Sequence, residues 1–125
     1  MIKICYYYTS KGGVTMLNQI VLVGRIVQEP ELKKTDSGKN VANLTIAVQR
    51  PFKNINSEYD TDFIPCILWT GIAENTVEYC KKGDLVGIRG RLQTRIVEIN
   101  EEEKRQYVEV VVEKVTFIAG NKRDD

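Results

Sequence analysis

The chain has 125 residues, the usual size of one domain, and its 42% hydrophobic content is enough for a single core. It contains no histidine, and its three cysteines, Cys5, Cys66 and Cys80, form no CxxC pair, which argues against zinc sites, disulfide frameworks and histidine-dependent catalysis. The formal net charge is only +1, so a charged partner would have to be recognised by a local patch.

Residues 1–15, MIKICYYYTSKGGVT, have no clear hydrophobic period. They lack an apolar stretch followed by a small-residue cleavage site, and no run in the chain is long enough to span a bilayer, so we expect a cytoplasmic protein. The codons for Lys11-Gly12-Gly13 permit a purine-rich ribosome-binding sequence just before Met16. We therefore predict that Met16 is the natural start and that residues 1–15 are a non-native or disordered leader. A genuine flexible arm is the alternative.

After this segment the pattern becomes typical of β-strands. Residues 19–27 form a nearly continuous apolar strand, and Asp36-Ser37-Gly38 indicates a hairpin turn. Residues 40–50 alternate between apolar and polar side chains, and we expect Pro51 to end that strand. Residues 52–59 are predicted to form a loop.

The strand predicted over residues 62–69, DFIPCILW, is largely apolar on both faces. Alternation places Ile64, Cys66 and Leu68 on one face, and the opposite face carries Phe63, Pro65, Ile67 and Trp69. Aromatic side chains on a second face require either another packed layer or a ligand with flat surfaces.

A short helix follows, because the period changes from two to nearly four. Its apolar side consists of Ile72, Ala73, Thr76, Val77 and Cys80. Positive charge suits the last turn of a helix and glycine suits its C-terminal cap, so we place Lys81 and Lys82 in the last turn and Gly83 at the cap.

The next strand carries a row of positive charge. One face has Ile88, Gly90, Leu92 and Thr94, and the other has Arg89, Arg91, Gln93 and Arg95. A return strand over residues 106–113 brings Glu109 and Glu113 as possible cross-strand partners. A solvated, self-neutralised face is therefore an alternative to a binding face.

These elements predict an all-β fold, a five-stranded OB-fold barrel of Greek-key type with one short α-helix between strands 3 and 4. A generic β-sandwich would have a similar strand count without needing a helix at that point. We expect the barrel domain over residues 16–119 and a short solvated tail over residues 120–125.

Aromatic rings interleaved with cations are typical of proteins that bind single-stranded nucleic acid with little base preference. Two other functions remain open. The same face of an OB-fold can serve as a protein-interaction or primosome-assembly module, and Asp60 and Asp62 are a carboxylate pair of the kind a nuclease would need. Turn chemistry explains that pair better, so we expect no enzymatic activity, no metal and no cofactor.

Several separated motifs resemble the bacterial single-stranded DNA-binding protein family. They are MLNQIVLVGRIVQEPELK from Met16, VANLTIAVQR, FIPCILW, AENTVEYCKKG, GRLQTR and the closing VTF. The resemblance implies a homotetrameric OB-fold that wraps single-stranded DNA in replication, repair or recombination. It also implies base stacking on Phe52, Phe63 and Trp69. The basic positions along the DNA path that match are Lys33, Lys53, Lys81, Lys82 and Arg95, to which the charged strand adds Arg91.

The chain departs from the family pattern at two places. Val97 stands where a further stacking aromatic is expected, and residues 120–125 end in Asp124 and Asp125 without the family's hydrophobic tip. We therefore do not expect recruitment of other proteins through an acidic C-terminal tip. The short form is similar to accessory paralogues associated with competence and DNA uptake, or to plasmid and phage versions.

Overall fold

The computed structural model describes residues 17–120, which form six strands and one helix. In chain order these are β1 (Ile20–Ile26), β2 (Leu32–Lys34), β3 (Asn40–Lys53), β4 (Tyr59–Trp69), α1 (Thr70–Tyr79), β5 (Leu85–Glu98) and β6 (Lys104–Ala119). The predicted leader, the start at Met16 and all of the predicted tail except Gly120 lie outside the described residues.

Five of the strands close into a barrel in the order β1-β5-β6-β4-β3, and β2 extends the sheet at the edge of β3. The pairing of β4 with β6 is parallel and the other pairings are antiparallel. The helix lies between the third and fourth strands of the barrel. The predicted barrel architecture is therefore confirmed, and β2 with the start of β3 forms the hairpin expected around Asp36-Ser37-Gly38.

The barrel closes where β1 meets β3, through the pairs Arg25↔Ala47 and Ile26↔Ile46. The strands approach so closely there that a Cβ atom on Gly24 would lie 2.4 Å from the carbonyl oxygen of Ala47. Glycine at this position is therefore a condition for closure.

The core consists of the inward-facing residues of each strand. Ile46, Leu68, Val86 and Val110 are fully buried, and each such side chain stabilises the fold by roughly 1.5–3 kcal/mol relative to its exposed state. The helix α1 covers part of the barrel, packing against β3, β4 and β6 through its buried Ala73 and Thr76.

The end of β3 differs from the prediction. The strand continues through Pro51 to Lys53, but its register with β4 shifts between Gln49 and Lys53, so three residues of β3 lie opposite Asp60 alone. Proline has no N–H group to donate and is tolerated at such an interruption of the ladder. The expectation that Pro51 ends the strand is therefore wrong. The loop predicted over residues 52–59 is also too long, because Phe52 and Lys53 belong to β3 and Tyr59 begins β4.

The helix ends earlier than predicted. Tyr79 is its last residue, and Lys81 and Lys82 lie in the following turn, where the Lys81 amide donates to the Asp84 carboxylate at 2.8 Å. Gly83 adopts a φ of 91° but belongs to that turn and not to the helix cap. The prediction that the two lysines lie in the last helical turn is wrong, because hydrogen bonds with Asp84 and with the backbone of Ile26 in β1 hold this segment in a turn.

The two cysteines of the described region are buried, as predicted. Burial raises the pKa of the Cys66 thiol to about 12 and also raises the pKa of Cys80. Cys5 lies outside the described residues. Within residues 17–120, no helix combines the length and the hydrophobicity that crossing a membrane requires.

Candidate nucleic-acid interface

The open side of the barrel is organised around β4. Cys66 and Leu68 point into the core, whereas Phe63 is 62% exposed and Trp69 is half-buried on the opposite side. We call the side of β4 that carries Phe63, Ile67 and Trp69 the outer face, and the name includes the residues in register with this side on the other strands. The prediction that these two rings face away from the core is confirmed.

Strand pairing places residues of β3 and β2 beside Trp69 on the outer face. Trp69 pairs with Val41 of β3, and Val41 pairs with Lys33 of β2. Strands are spaced about 4.8 Å apart, so the Lys33 backbone lies about 10 Å from that of Trp69. A lysine therefore flanks the tryptophan on one side.

On the other side of β4, strand pairing places residues of β6 and β5 on the outer face. Ile67 pairs with Val111 of β6, and Val111 pairs with Arg91 of β5. Arg91 is thus also about 10 Å, or two strands, from the aromatic strand. Arg95 lies farther along the β5–β6 hairpin, opposite Tyr107.

Glu109 partly neutralises this positive row. Its side chain is 8% exposed, accepts a hydrogen bond from Gln93 Nε2 at 2.9 Å, and lies 3.6 Å from Arg95 Nε. The Arg95 side chain remains 57% exposed, and a guanidinium has five N–H donors. The predicted cross-strand pairing thus occurs at one arginine without burying it.

The β3–β4 hairpin extends from the same region. Phe52 is 63% exposed, and Lys53 Nζ lies 5.8 Å from the centroid of the Tyr59 ring, a cation–π distance. The turn is ordered by Asn54, whose Oδ1 accepts from the amides of Asn56 and Glu58 at 2.8 and 3.0 Å.

A charged network crosses the register shift at the root of this hairpin. Arg50 donates to both carboxylate oxygens of Asp62, with distances of 2.8–3.2 Å, and its Nη1 lies 3.9 Å from Asp60. The hydrogen bond from Arg50 is the largest cause of the lowered pKa of Asp62, and the same bond raises the pKa of Arg50. Asn54 Nδ2 donates to Asp60 at 3.0 Å.

This network also bears on the nuclease alternative. Both carboxylates of the proposed pair are engaged by Arg50, and among residues 17–120 no cluster of three or more His, Cys, Asp or Glu side chains is arranged to hold a metal ion.

The structure places the remaining predicted lysines elsewhere. Lys81 and Lys82 lie in the turn before Leu85, the first residue of β5. Leu85 is six residues from Arg91, which corresponds to about 20 Å along the strand. The Lys82 amide donates to Glu29 at 3.4 Å, and Glu29 lines a surface cavity with Lys33. The two lysines therefore lie at one end of the barrel, outside the row formed by Arg91 and Arg95.

Sequence reasoning did not single out Tyr107, which is 44% exposed on the outer face. The signal was present in the alternation of β6, since Tyr107, Glu109 and Val111 occupy the face opposite Val108 and Val110.

Comparisons with known proteins agree with this geometry. Residues 17–118 match the model of the single-strand binding protein family. The chain is 47% identical over 110 residues to single-stranded DNA-binding protein B of Bacillus subtilis, covering 87% of this chain and 96% of that protein. It is 48% identical over 103 residues to a single-stranded DNA-binding protein of Halalkalibacterium halodurans, covering 82% of this chain and 61% of that protein. The chain thus spans less than two thirds of the latter relative.

A solved structure shares the fold. A Plasmodium falciparum SSB in complex with ssDNA superposes with a TM-score of 0.73 at 24% identity, covering 85% of this chain and 98% of that one. Because the family model covers residues 17–118 and the B. subtilis relative matches over nearly its whole length, the chain belongs to the single-strand binding protein family.

Proposed function

We propose that this protein binds single-stranded DNA with little preference for base sequence and has no catalytic role. One observation carries the proposal. On the outer face, the half-buried Trp69 of β4 lies in register with Lys33 across β3, and Ile67, two residues earlier on β4, lies in register with Arg91 across β6, so cations stand on both sides of the aromatic strand. Unpaired bases can lie on the rings while phosphates contact the cations.

The apolar centre of the outer face favours a single strand over a duplex. Phe63, Ile67 and Trp69 offer flat or aliphatic contacts, which suit the faces of unstacked bases. In a duplex those faces are covered by stacking, and only base edges and phosphates are accessible in the grooves. The relatives named as single-stranded DNA-binding proteins support DNA as the ligand.

Each predicted site residue receives a role in this proposal. The stacking residues are Phe52, Phe63 and Trp69. Arg91, Arg95, Lys33 and Lys53 contact phosphates near the rings, and Lys81 and Lys82 extend the path at the end of the barrel.

The protein acts as a homotetramer that protects single-stranded DNA during replication, repair, recombination or DNA uptake. Family resemblance supports this part of the proposal. Further support comes from β1, where Val21 is 71% exposed and Val23 50% exposed, since neighbouring exposed aliphatic side chains are typical of contact surfaces between proteins.

The experiment is a titration of the protein with a fluorescence-silent oligo-dT. Trp69 is the only tryptophan in the chain, so its emission reports directly on the proposed face. We expect quenching on addition of oligo-dT, an affinity that falls as salt rises, and much weaker binding to a duplex of equal length. Light scattering on the same samples gives the mass of the assembly. Equal affinity for duplex and single strand, or no binding at all, would contradict the proposal.

A further inference from the structure

We propose that Tyr107 is an additional stacking platform for an unpaired base, located on the β5–β6 hairpin. This inference rests on the proposed function and extends the binding path beyond β4. It assigns a role to an exposed aromatic side chain that the sequence motifs did not single out.

The first support is the placement of the ring. Tyr107 lies directly opposite Arg95 in the β5–β6 ladder, and the preceding pair on the same face, Gln93↔Glu109, is joined by a side-chain hydrogen bond of 2.9 Å. Directly opposed residues of antiparallel strands have Cβ atoms about 4.5–5.5 Å apart on one face. The ring and the guanidinium of Arg95 are therefore neighbours on the outer face.

The second support is continuity with the aromatic strand. Ile67 of β4 pairs with Val111 of the parallel strand β6. Counted from that pair, Phe63 and Tyr107 each lie four residues toward the start of their strands, and alternation keeps both on the outer face. A strand of DNA stacked on Phe63 can continue onto the hairpin without leaving this face.

The third support is the pairing of a ring with a held cation. Tyr107 is 44% exposed, and Arg95 keeps 57% of its side chain exposed while Glu109, which is nearly buried, lies 3.6 Å from its Nε atom. A carboxylate fixed in this way limits where the guanidinium can swing. The arrangement offers one flat surface for a base and one cation for the adjoining phosphate, the combination that single-strand binding requires.

The fourth support is the surroundings of Tyr107. The neighbouring outer-face pair toward the tip of the hairpin is Val97↔Arg105, and neither side chain carries an aromatic ring. Val97 is half-buried. A base that reaches this part of the hairpin thus finds its flat partner on β6, at Tyr107, and not on β5.

The test compares wild type with Tyr107→Ala, Tyr107→Phe and, as a matched control, Tyr79→Ala. Tyr79 is 68% exposed on α1. Affinity is measured by anisotropy with a labelled oligo-dT of about 16 nucleotides, the upper end of the site size of one OB-fold. We expect Tyr107→Ala to bind roughly 5- to 150-fold more weakly, Tyr107→Phe to bind like wild type, and Tyr79→Ala to show no change.

A second measurement uses the wild-type protein and does not depend on variants folding. Oligo-dT carrying 5-iodouracil is cross-linked by light and the modified peptides are mapped by mass spectrometry. We expect a cross-link at Tyr107. If wild type fails to bind oligo-dT, the proposed function itself is wrong.

If wild type binds but Tyr107→Ala binds equally well, or no cross-link reaches Tyr107, only the present inference is wrong. A loss of affinity that appears with a smaller mass in light scattering would also overturn it, because Tyr107 would then be an interface residue between copies of the chain.

Discussion

Replacing Phe63 with alanine separates binding from folding. Phe63 is 62% exposed and its partner in register on β3 is the small Ala47. Fully burying a phenylalanine is worth about 1.5–3 kcal/mol, so the partly covered ring contributes about 1 kcal/mol or less to stability. Loss of one stacking platform costs about 1–3 kcal/mol of binding free energy. We therefore expect roughly 5- to 150-fold weaker binding of oligo-dT, with a small change in the free energy of unfolding.

Leu68→Ala is the matched control on the same strand. Leu68 is completely buried and points into the barrel, so its truncation should cost about 2–5 kcal/mol of stability and leave the outer face unchanged. Affinity is measured by anisotropy at a temperature at which both variants are folded, and stability by urea denaturation. Wild-type affinity in Phe63→Ala would refute the stacking role. Equal losses of affinity in the folded forms of both variants would show that the outer face is not the binding surface.

Three further outcomes follow from charges and burial. Arg95→Ala should reduce the slope of log affinity against log salt by about 0.7, the value of one phosphate contact on a single strand. An unchanged slope would exclude Arg95 from the DNA path. Arg50 lowers the pKa of Asp62 below its ordinary 3.8. The ion pair should therefore be fully formed above pH 3.8 and be lost as the pH falls through the lowered pKa. A carboxyl NMR titration in which Asp62 titrates at its ordinary pKa would contradict this. Cys66, whose pKa burial raises to about 12, should resist alkylation at pH 8 in the folded protein and react after denaturation, as read by peptide mass mapping.

The faces of the strands were predictable because side-chain alternation is a local property of the backbone. In residues 62–69 the two-residue period alone separates Phe63 and Trp69 from the buried Cys66 and Leu68. The helix was predictable for the same reason, since Ala73 and Thr76 follow its period and are buried. The order of these elements then indicated the barrel.

Element ends were less predictable because contacts distant in sequence decide them. Pro51 reads as a strand end, yet β3 continues past it opposite β4. Lys81 and Lys82 suit a last helical turn, yet a hydrogen bond from the Lys81 amide to Asp84 holds that segment in a turn.

The sequence by itself determined the side of each strand on which a residue lies. Only the tertiary structure decided which residues become neighbours across strands. Nothing local places Tyr107 opposite Arg95, Glu109 beside that arginine, or Lys33 in the row of Trp69. Asn18, which bonds to both backbone groups of Leu92, lies 74 residues away from it in the chain. Register depends on how the whole barrel closes, because a shift of one residue turns every side chain of a strand to the other face.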